Sequence, residues 1–157
     1  MRHYWVDRVE VGEPGVKATG RKAVGFSEDF FADHFPGNPV FPGVYLLEGM
    51  AQTAGALLGK HSDWEELALM VSIDRARFSS FARPGDVVEY SVEVEERTGD
   101  LATVMARATV SERKVAQARI TFRVLPLEEM VPPLYGEQWR HTLSLLFESG
   151  GTDPGDR

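Results

Sequence analysis

The stretch from Asp33 to Leu58, DHFPGNPVFPGVYLLEGMAQTAGALL, decides how the rest of the chain is read. Between Phe41 and Gly59 it is apolar or small on every face, and Glu48 is its only charged residue. A helix that is hydrophobic all round is buried, so the sequence predicts a central buried helix with the Glu48 carboxylate where solvation is poor. Such a carboxylate costs stability unless partners compensate. Pro36, Pro39 and Pro42 keep the lead-in from being helical, while Pro42 itself suits a first helical turn. A helix starting there leaves the N–H groups of Gly43 and Val44 unpaired. His34 stands at the head of the lead-in. A base, a buried acid and a positive helix end so close in sequence point to proton chemistry beside a carbonyl.

Outward from this segment the pattern is that of strands. Residues 3–11 and 16–24 predict a hairpin around Glu13-Pro14-Gly15. Residues 26–31 predict a helical turn capped by Ser27. After the helix, Gly59-Lys60-His61-Ser62-Asp63 reads as a stop with a left-handed glycine cap. Residues 67–78 predict a strand, and Pro84-Gly85-Asp86 a turn. Val88, Tyr90, Val92 and Val94 then alternate with Glu89, Ser91, Glu93 and Glu95, as a half-buried strand does. Two further strands follow through short polar turns, with Ala102, Val104, Ala106, Ala108 and Val110, then Ala116, Ala118, Ile120, Phe122 and Val124 inward. So many inner alanines leave room for a helix against the sheet. The prediction is an α+β fold, a curved antiparallel sheet wrapped around one long buried helix. Beyond Val131-Pro132-Pro133, residues Trp139, Leu143, Leu146 and Phe147 sit at helical spacing and predict an amphipathic C-terminal helix. The expected division is a domain over 1–125, an extension over 126–148 and a disordered tail over 149–157.

Composition narrows the function classes. At 157 residues the chain is most simply one domain with a substantial core. The net charge of −7 argues against a general nucleic-acid binder. With no cysteine there is no disulfide framework, thiolate nucleophile or zinc-thiolate site. No apolar run is long enough to span a bilayer, and the charged start MRHYWVDRVE does not read as a secretory signal. A cytoplasmic protein is the expectation.

The blocks His34-Phe35-Pro36, Pro39-Val40-Phe41-Pro42-Gly43-Val44 and Glu48-Gly49-Met50-Ala51-Gln52 together resemble the bacterial 3-hydroxyacyl-acyl-carrier-protein dehydratases of the FabZ type. Val6-Asp7-Arg8-Val9, Phe30-Phe31, Ile73-Asp74-Arg75-Ala76-Arg77-Phe78 and Pro84-Gly85-Asp86 extend the resemblance in the family's order over residues 4–125. It implies the hot-dog fold and conversion of a (3R)-3-hydroxyacyl thioester into the trans-2-enoyl thioester in fatty acid biosynthesis. It also implies His34 as base, Glu48 as the group that protonates or orients the departing hydroxyl, and the Gly43 amide on the thioester oxygen, with Val44 and Gln52 beside the substrate. No cofactor and no metal are required. In the resembling enzymes the two catalytic groups come from different subunits of a homodimer, which commonly assembles further as a trimer of dimers. The implied partner is an acyl carrier protein bearing the acyl-phosphopantetheine.

Phe41, Tyr45, Phe78 and Phe81 are candidates for lining or gating an acyl tunnel, and Lys60, Arg75, Arg77 and Arg83 for meeting an acidic carrier protein. Each residue also has an ordinary reading. His34 alone suits a hydrogen-bonded structural histidine, Glu48 a carboxylate bonded to amides, Gln52 a satisfied amide, the phenylalanines core packing and the basic residues a solvated surface. Gly49 and Gly55 allow close approach of the sheet or of a substrate chain. Asp29, Asp33 and His34 fit no established metal spacing. Asp33 stands where the family usually has glycine, and a neighbouring carboxylate favours protonated His34. The rival functions are a hot-dog thioesterase, which uses a helix carboxylate with water and needs no His34, and a non-catalytic acyl-carrier or lipid-binding subunit.

Overall fold

The computed structural model describes residues 4–147. The chain runs β1 (Arg8–Glu13), β2 (Lys17–Ala23), a 3₁₀ turn (Asp29–Ala32), α1 (Gly43–His61), β3 (Glu66–Phe78), β4 (Val87–Thr98), β5 (Leu101–Val110), β6 (Arg113–Pro126), α2 (Leu127–Met130) and α3 (Pro133–Phe147). All strands join one antiparallel six-stranded sheet in the order β1-β2-β4-β5-β6-β3. Helix α1 crosses its inner face and carries the chain from the β1-β2 side to the opposite edge, where β3 forms. This is the hot-dog architecture, an α+β fold. No helix among the described residues is long and apolar enough to cross a membrane.

The alternation expected of β4, β5 and β6 is what builds the core. Val88, Tyr90, Val92, Val104, Ala106, Ala108, Ala118, Ile120 and Phe122 are buried, and Leu46, Met50, Ala54, Leu57 and Leu58 of α1 pack into the same cluster. Close approach depends on glycine at one point in particular. A side chain at Gly49 would collide with the Tyr90 ring and lie 2.8 Å from the Trp5 carbonyl oxygen. The family-like blocks outside the helix hold turns and strand pairs. Asp7 accepts from the Lys22 ammonium (2.9 Å) and the Ala23 amide (2.8 Å), tying the first residues to β2. Asp86 accepts the Arg83 amide at 2.8 Å beside Gly85, whose φ of 94° needs glycine.

Several local expectations change. The first hairpin strand begins and ends later than residues 3–11 predict, the second lies one residue inside 16–24 at each end, and His3 lies outside the described residues. Ser27 does not cap the turn before His34; Glu28 precedes it without a side-chain cap. Helix α1 does not stop at a left-handed Gly59. It continues to His61, with Ser62 as cap, and Gly59 instead admits the Trp64 ring, which would lie 2.8 Å from an added Cβ. The positive φ values fall on Asp63 and Trp64 (52° and 66°).

The larger correction concerns the helix surface. Its inner faces are buried, but Val44, Glu48, Gln52 and Gly55, spaced three or four residues apart on one side, are left exposed or half-buried. The sheet curves round only part of α1. Beside that open strip, β3 carries exposed Leu69, Met70, Val71, Ile73 and Phe78 along an edge with no strand beyond it. After β6, Leu127 is buried, its amide donating to the Glu65 carbonyl (2.8 Å), and α3 follows. The side chains of Leu146 and Phe147 and the tail over 149–157, expected to be disordered, lie outside the described residues.

Candidate active site

His34 is positioned almost wholly by main chain. Its amide donates to the Phe30 carbonyl (2.8 Å) and its carbonyl accepts the Val40 amide (2.9 Å), while Phe35 and Asn38 exchange amide–carbonyl bonds (3.2 and 2.9 Å). The three prolines leave few backbone donors in this loop, and these bonds employ them. The imidazole Nδ1 lies 2.8 Å from the Val40 carbonyl oxygen. A carbonyl only accepts, so Nδ1 carries the proton and the Nε2 lone pair is left to act as a base. The ring stacks beside Phe35, with centroids 4.2 Å apart. Asp33 is exposed, and no ion pair joins it to His34 among the described residues.

The cleft at His34 has a volume of about 390 Å³ and is lined by Val40, Phe41, Gly43, Leu46, Phe78 and Phe81 among others. Pro42 provides no side-chain cap to α1, so the first amides, Gly43 and Val44, have no intrahelical acceptor. An added Cβ at Gly43 would lie 3.0 Å from the Phe78 ring, so glycine is what brings that amide to the cleft wall. Val44 is 64% exposed.

Glu48 does not share this cleft. From Gly43 to Glu48 a helix advances about 7.5 Å and turns through about 140° net, so the carboxylate leaves from a different side. It opens into a second cleft of about 400 Å³ together with Gln52, Gly55, Trp64, Met70, Trp139 and Leu143. Gln52 lies one turn on, its Oε1 accepting the Trp5 amide (2.9 Å) and its Nε2 donating to Glu48 Oε1 (3.0 Å). The first bond fixes which way the amide faces, and the second turns one carboxylate oxygen towards Gln52. The other is available to the cleft.

The remaining candidates divide. Phe41, Phe78 and Phe81 line the His34 cleft, whereas Tyr45 stacks on Trp5 (centroids 3.9 Å apart, planes 9° apart) and lines neither cleft. Arg83 donates to Asn38 Oδ1 (2.8 Å) and the Pro39 carbonyl (3.2 Å), clamping the His34 loop. Arg75 and Arg77 are exposed on β3. Lys60, 3.5 Å from Asp63, sits at the far end of α1, about 25 Å from Gly43, so the four basic candidates do not form one patch within a chain. Asp29, Asp33 and His34 do not gather as a metal set, and no such cluster occurs among the described residues.

Sequence reasoning missed the roles of Trp5 and Arg113. Trp5 holds Gln52 through its amide, which no side-chain pattern reports. Arg113 donates to Ser80 Oγ and to the Phe81 carbonyl (3.3 Å), steadying the lip of the His34 cleft from the first residue of β6. Trp139 and Leu143 were legible as an apolar stripe without a target.

Comparison with known proteins adds the family. A FabA-like domain model matches residues 4–119. The 3-hydroxyacyl-[acyl-carrier-protein] dehydratase FabZ of Chloroflexus aggregans is 42% identical over 120 residues, which span 76% of this chain and 83% of that protein. A hot-dog-like protein from Thermanaerovibrio acidaminovorans superposes with a TM-score of 0.62 at 20% identity, covering 89% of this chain and 96% of its own. A hypothetical thioesterase with coenzyme A from Streptococcus pneumoniae TIGR4 gives 0.59 at 15%, covering 77% and 94%. At such identities these two speak for the shared fold alone.

Proposed function

The chain belongs to the FabA-like family as a 3-hydroxyacyl-acyl-carrier-protein dehydratase of the FabZ type, a hydro-lyase of fatty acid biosynthesis, and from that premise we propose that each active site combines His34 of one protomer with Glu48 of its partner. His34 Nε2 takes a proton from carbon 2 of the (3R)-3-hydroxyacyl thioester, and the negative charge that develops spreads onto the thioester oxygen. The Gly43 amide, at the positive end of α1, receives that charge, a contribution of about 3 kcal/mol for a donor of this kind. The bond from carbon 3 to oxygen then breaks, the departing hydroxyl takes a proton from Glu48, and water leaves with the trans-2-enoyl thioester behind it. His34 returns its proton to solvent and Glu48 is reprotonated. Gln52 orients the acid, and Val44 flanks the substrate.

One observation carries the shared-site reading. The two ends of β3 line different clefts, Phe78 that of His34 and Leu67 to Met70 that of Glu48. Its outer edge is free and apolar, a surface that ordinarily pairs with another strand. If two copies pair antiparallel about a two-fold axis, the end of one β3 meets the beginning of the other. The His34 cleft of each protomer then faces the Glu48 cleft of its partner, and the open strip of α1 is covered. A homodimer follows, with a trimer of dimers as its further assembly. The acyl carrier protein would deliver its phosphopantetheine at the mouth of the His34 cleft, near Arg77, Arg83 and Arg113.

The test is complementation. The His34→Ala and Glu48→Ala proteins are each expected to lose about a hundred- to ten-thousand-fold in kcat, measured by the ultraviolet absorbance of the enoyl thioester. Mixed under subunit exchange, they should regain about a quarter of wild-type activity, because half the dimers are then mixed and each has one intact site. No recovery in a mixture shown by mass to contain mixed dimers would refute the shared site. Thioester hydrolysis without enoyl product would refute the dehydratase.

A further inference from the structure

The Glu48 cleft continues well past the carboxylate. It follows α1 by way of Ala51, Gly55 and Ala56 to Trp64, with Leu67 to Met70 and Phe122 opposite. From Glu48 to Gly59, against which Trp64 packs, is about 16 Å along the helix. Glu48 is the only charged side chain lining the cleft among the described residues, so beyond its mouth it suits an aliphatic ligand. An added Cβ at Gly55 would meet nothing within 4 Å, which leaves open space over the middle of the floor.

Part of the cleft's lining comes from outside the family match, which ends at residue 119. Helix α3 supplies Trp139 and Leu143 to the lining. Between them Arg140 pairs with Glu65 (3.0 Å), next to Trp64, and α2 is tied to Glu65 through the Leu127 amide. The helix is thus anchored at the end of the cleft remote from Glu48. We propose that α3 is the end wall of the acyl channel and that Trp139 and Leu143 set the length of acyl chain the enzyme accepts. This rests on the dehydratase reading and adds to it a specificity-determining element that this chain carries beyond its FabA-like domain.

The experiment measures kcat/KM of the full-length protein on 3-hydroxybutyryl, 3-hydroxyoctanoyl and 3-hydroxydodecanoyl thioesters. Gly55→Met puts a side chain across the floor and should lower the ratio of long-chain to short-chain kcat/KM. Each methylene kept out of the apolar channel is worth about fourfold, so excluding two gives about fifteenfold. Trp139→Ala opens the end wall and should move the optimum towards the longest substrate; Leu143→Phe should move it the other way. Thermal melts of the four proteins separate these shifts from loss of fold. An unchanged chain-length profile in all three variants, or an equal fall on every substrate, overturns the proposal. Failure of the wild-type chain to form enoyl product from any substrate counts against the dehydratase reading. In that case acyl binding is read from Trp139 fluorescence, as the difference between wild type and Trp139→Phe. A response to dodecanoyl but not butyryl thioester supports the end wall, and no response to either removes it.

Discussion

In the proposed reaction His34 is the base and Glu48 the acid, and the two are held by different materials. Around His34 the bonds are main chain to main chain, with the ring itself on the Val40 carbonyl. Around Glu48 the first partner is a side chain, Gln52, which is oriented in turn by the Trp5 amide. A base held by backbone tolerates substitution around it, because the groups that fix it are present whatever the side chains. An acid held through a side chain fails when that side chain is removed. The two halves should therefore differ in their sensitivity to mutation, although the proposed mechanism needs both.

The largest effect expected from neighbouring residues is at Gln52. Replacing it with alanine removes the hydrogen bond that orients the acid and leaves the Trp5 amide without that acceptor, so kcat should fall by about a hundredfold, or about 2.7 kcal/mol. Steady-state kinetics with Gln52→Glu as comparison would show it, and a loss under threefold would break the contrast. Next comes Gly49→Ala, which forces Tyr90 and the Trp5 carbonyl apart. Overpacking of this kind costs about 2 kcal/mol, measured by denaturant unfolding. The same displacement of Trp5 should reduce kcat, linking core packing to the acid half alone. Arg83→Ala strikes the base half from outside. Because the loop keeps its backbone bonds, activity should fall less than tenfold, about 1 kcal/mol; a larger loss would mean that the clamp, not the backbone, holds His34.

The smallest effect belongs to a pair remote from both halves. The Arg123 guanidinium, 2.6 Å from Asp100, holds that carboxyl below its ordinary value. The folded value is depressed, so the pair's contribution is present above the unfolded carboxylate value of about 3.9 and is lost as pH falls through the folded one. Both groups are exposed, so the effect should be slight. Asp100→Asn should be marginally less stable than wild type at neutral pH, with the gap closing in acid. Activity should be unchanged.

Much of this was legible in residue order, for reasons that differ from place to place. The alternation of β4, β5 and β6 is a local property, since one face of each strand must meet the core. The proline and glycine blocks restrict backbone angles directly, so the lead-in and the start of α1 could be placed. The open strip at Val44, Glu48, Gln52 and Gly55 could not, because an apolar run looks the same whether its own sheet or another molecule covers it. The end of α1 was misplaced for a similar reason. Gly59 signals left-handed backbone locally, but here it makes room for Trp64, a contact set by the tertiary fold. Tyr45 illustrates the same limit. Its position beside the motif suggested a gate, and its stacking on Trp5 depends on a residue forty places away in the chain.

The strand order has a consequence for how the molecule is made. β1, β2 and β3 form the margins of the sheet, and the strands that join those margins come last in sequence. A growing polypeptide therefore releases its most apolar helix before the strands that shelter it exist. Closure must await long-range pairing, which is slow and leaves nascent chains open to aggregation. Synthesis stalled anywhere before the end of β6 would yield a sticky fragment rather than a smaller enzyme.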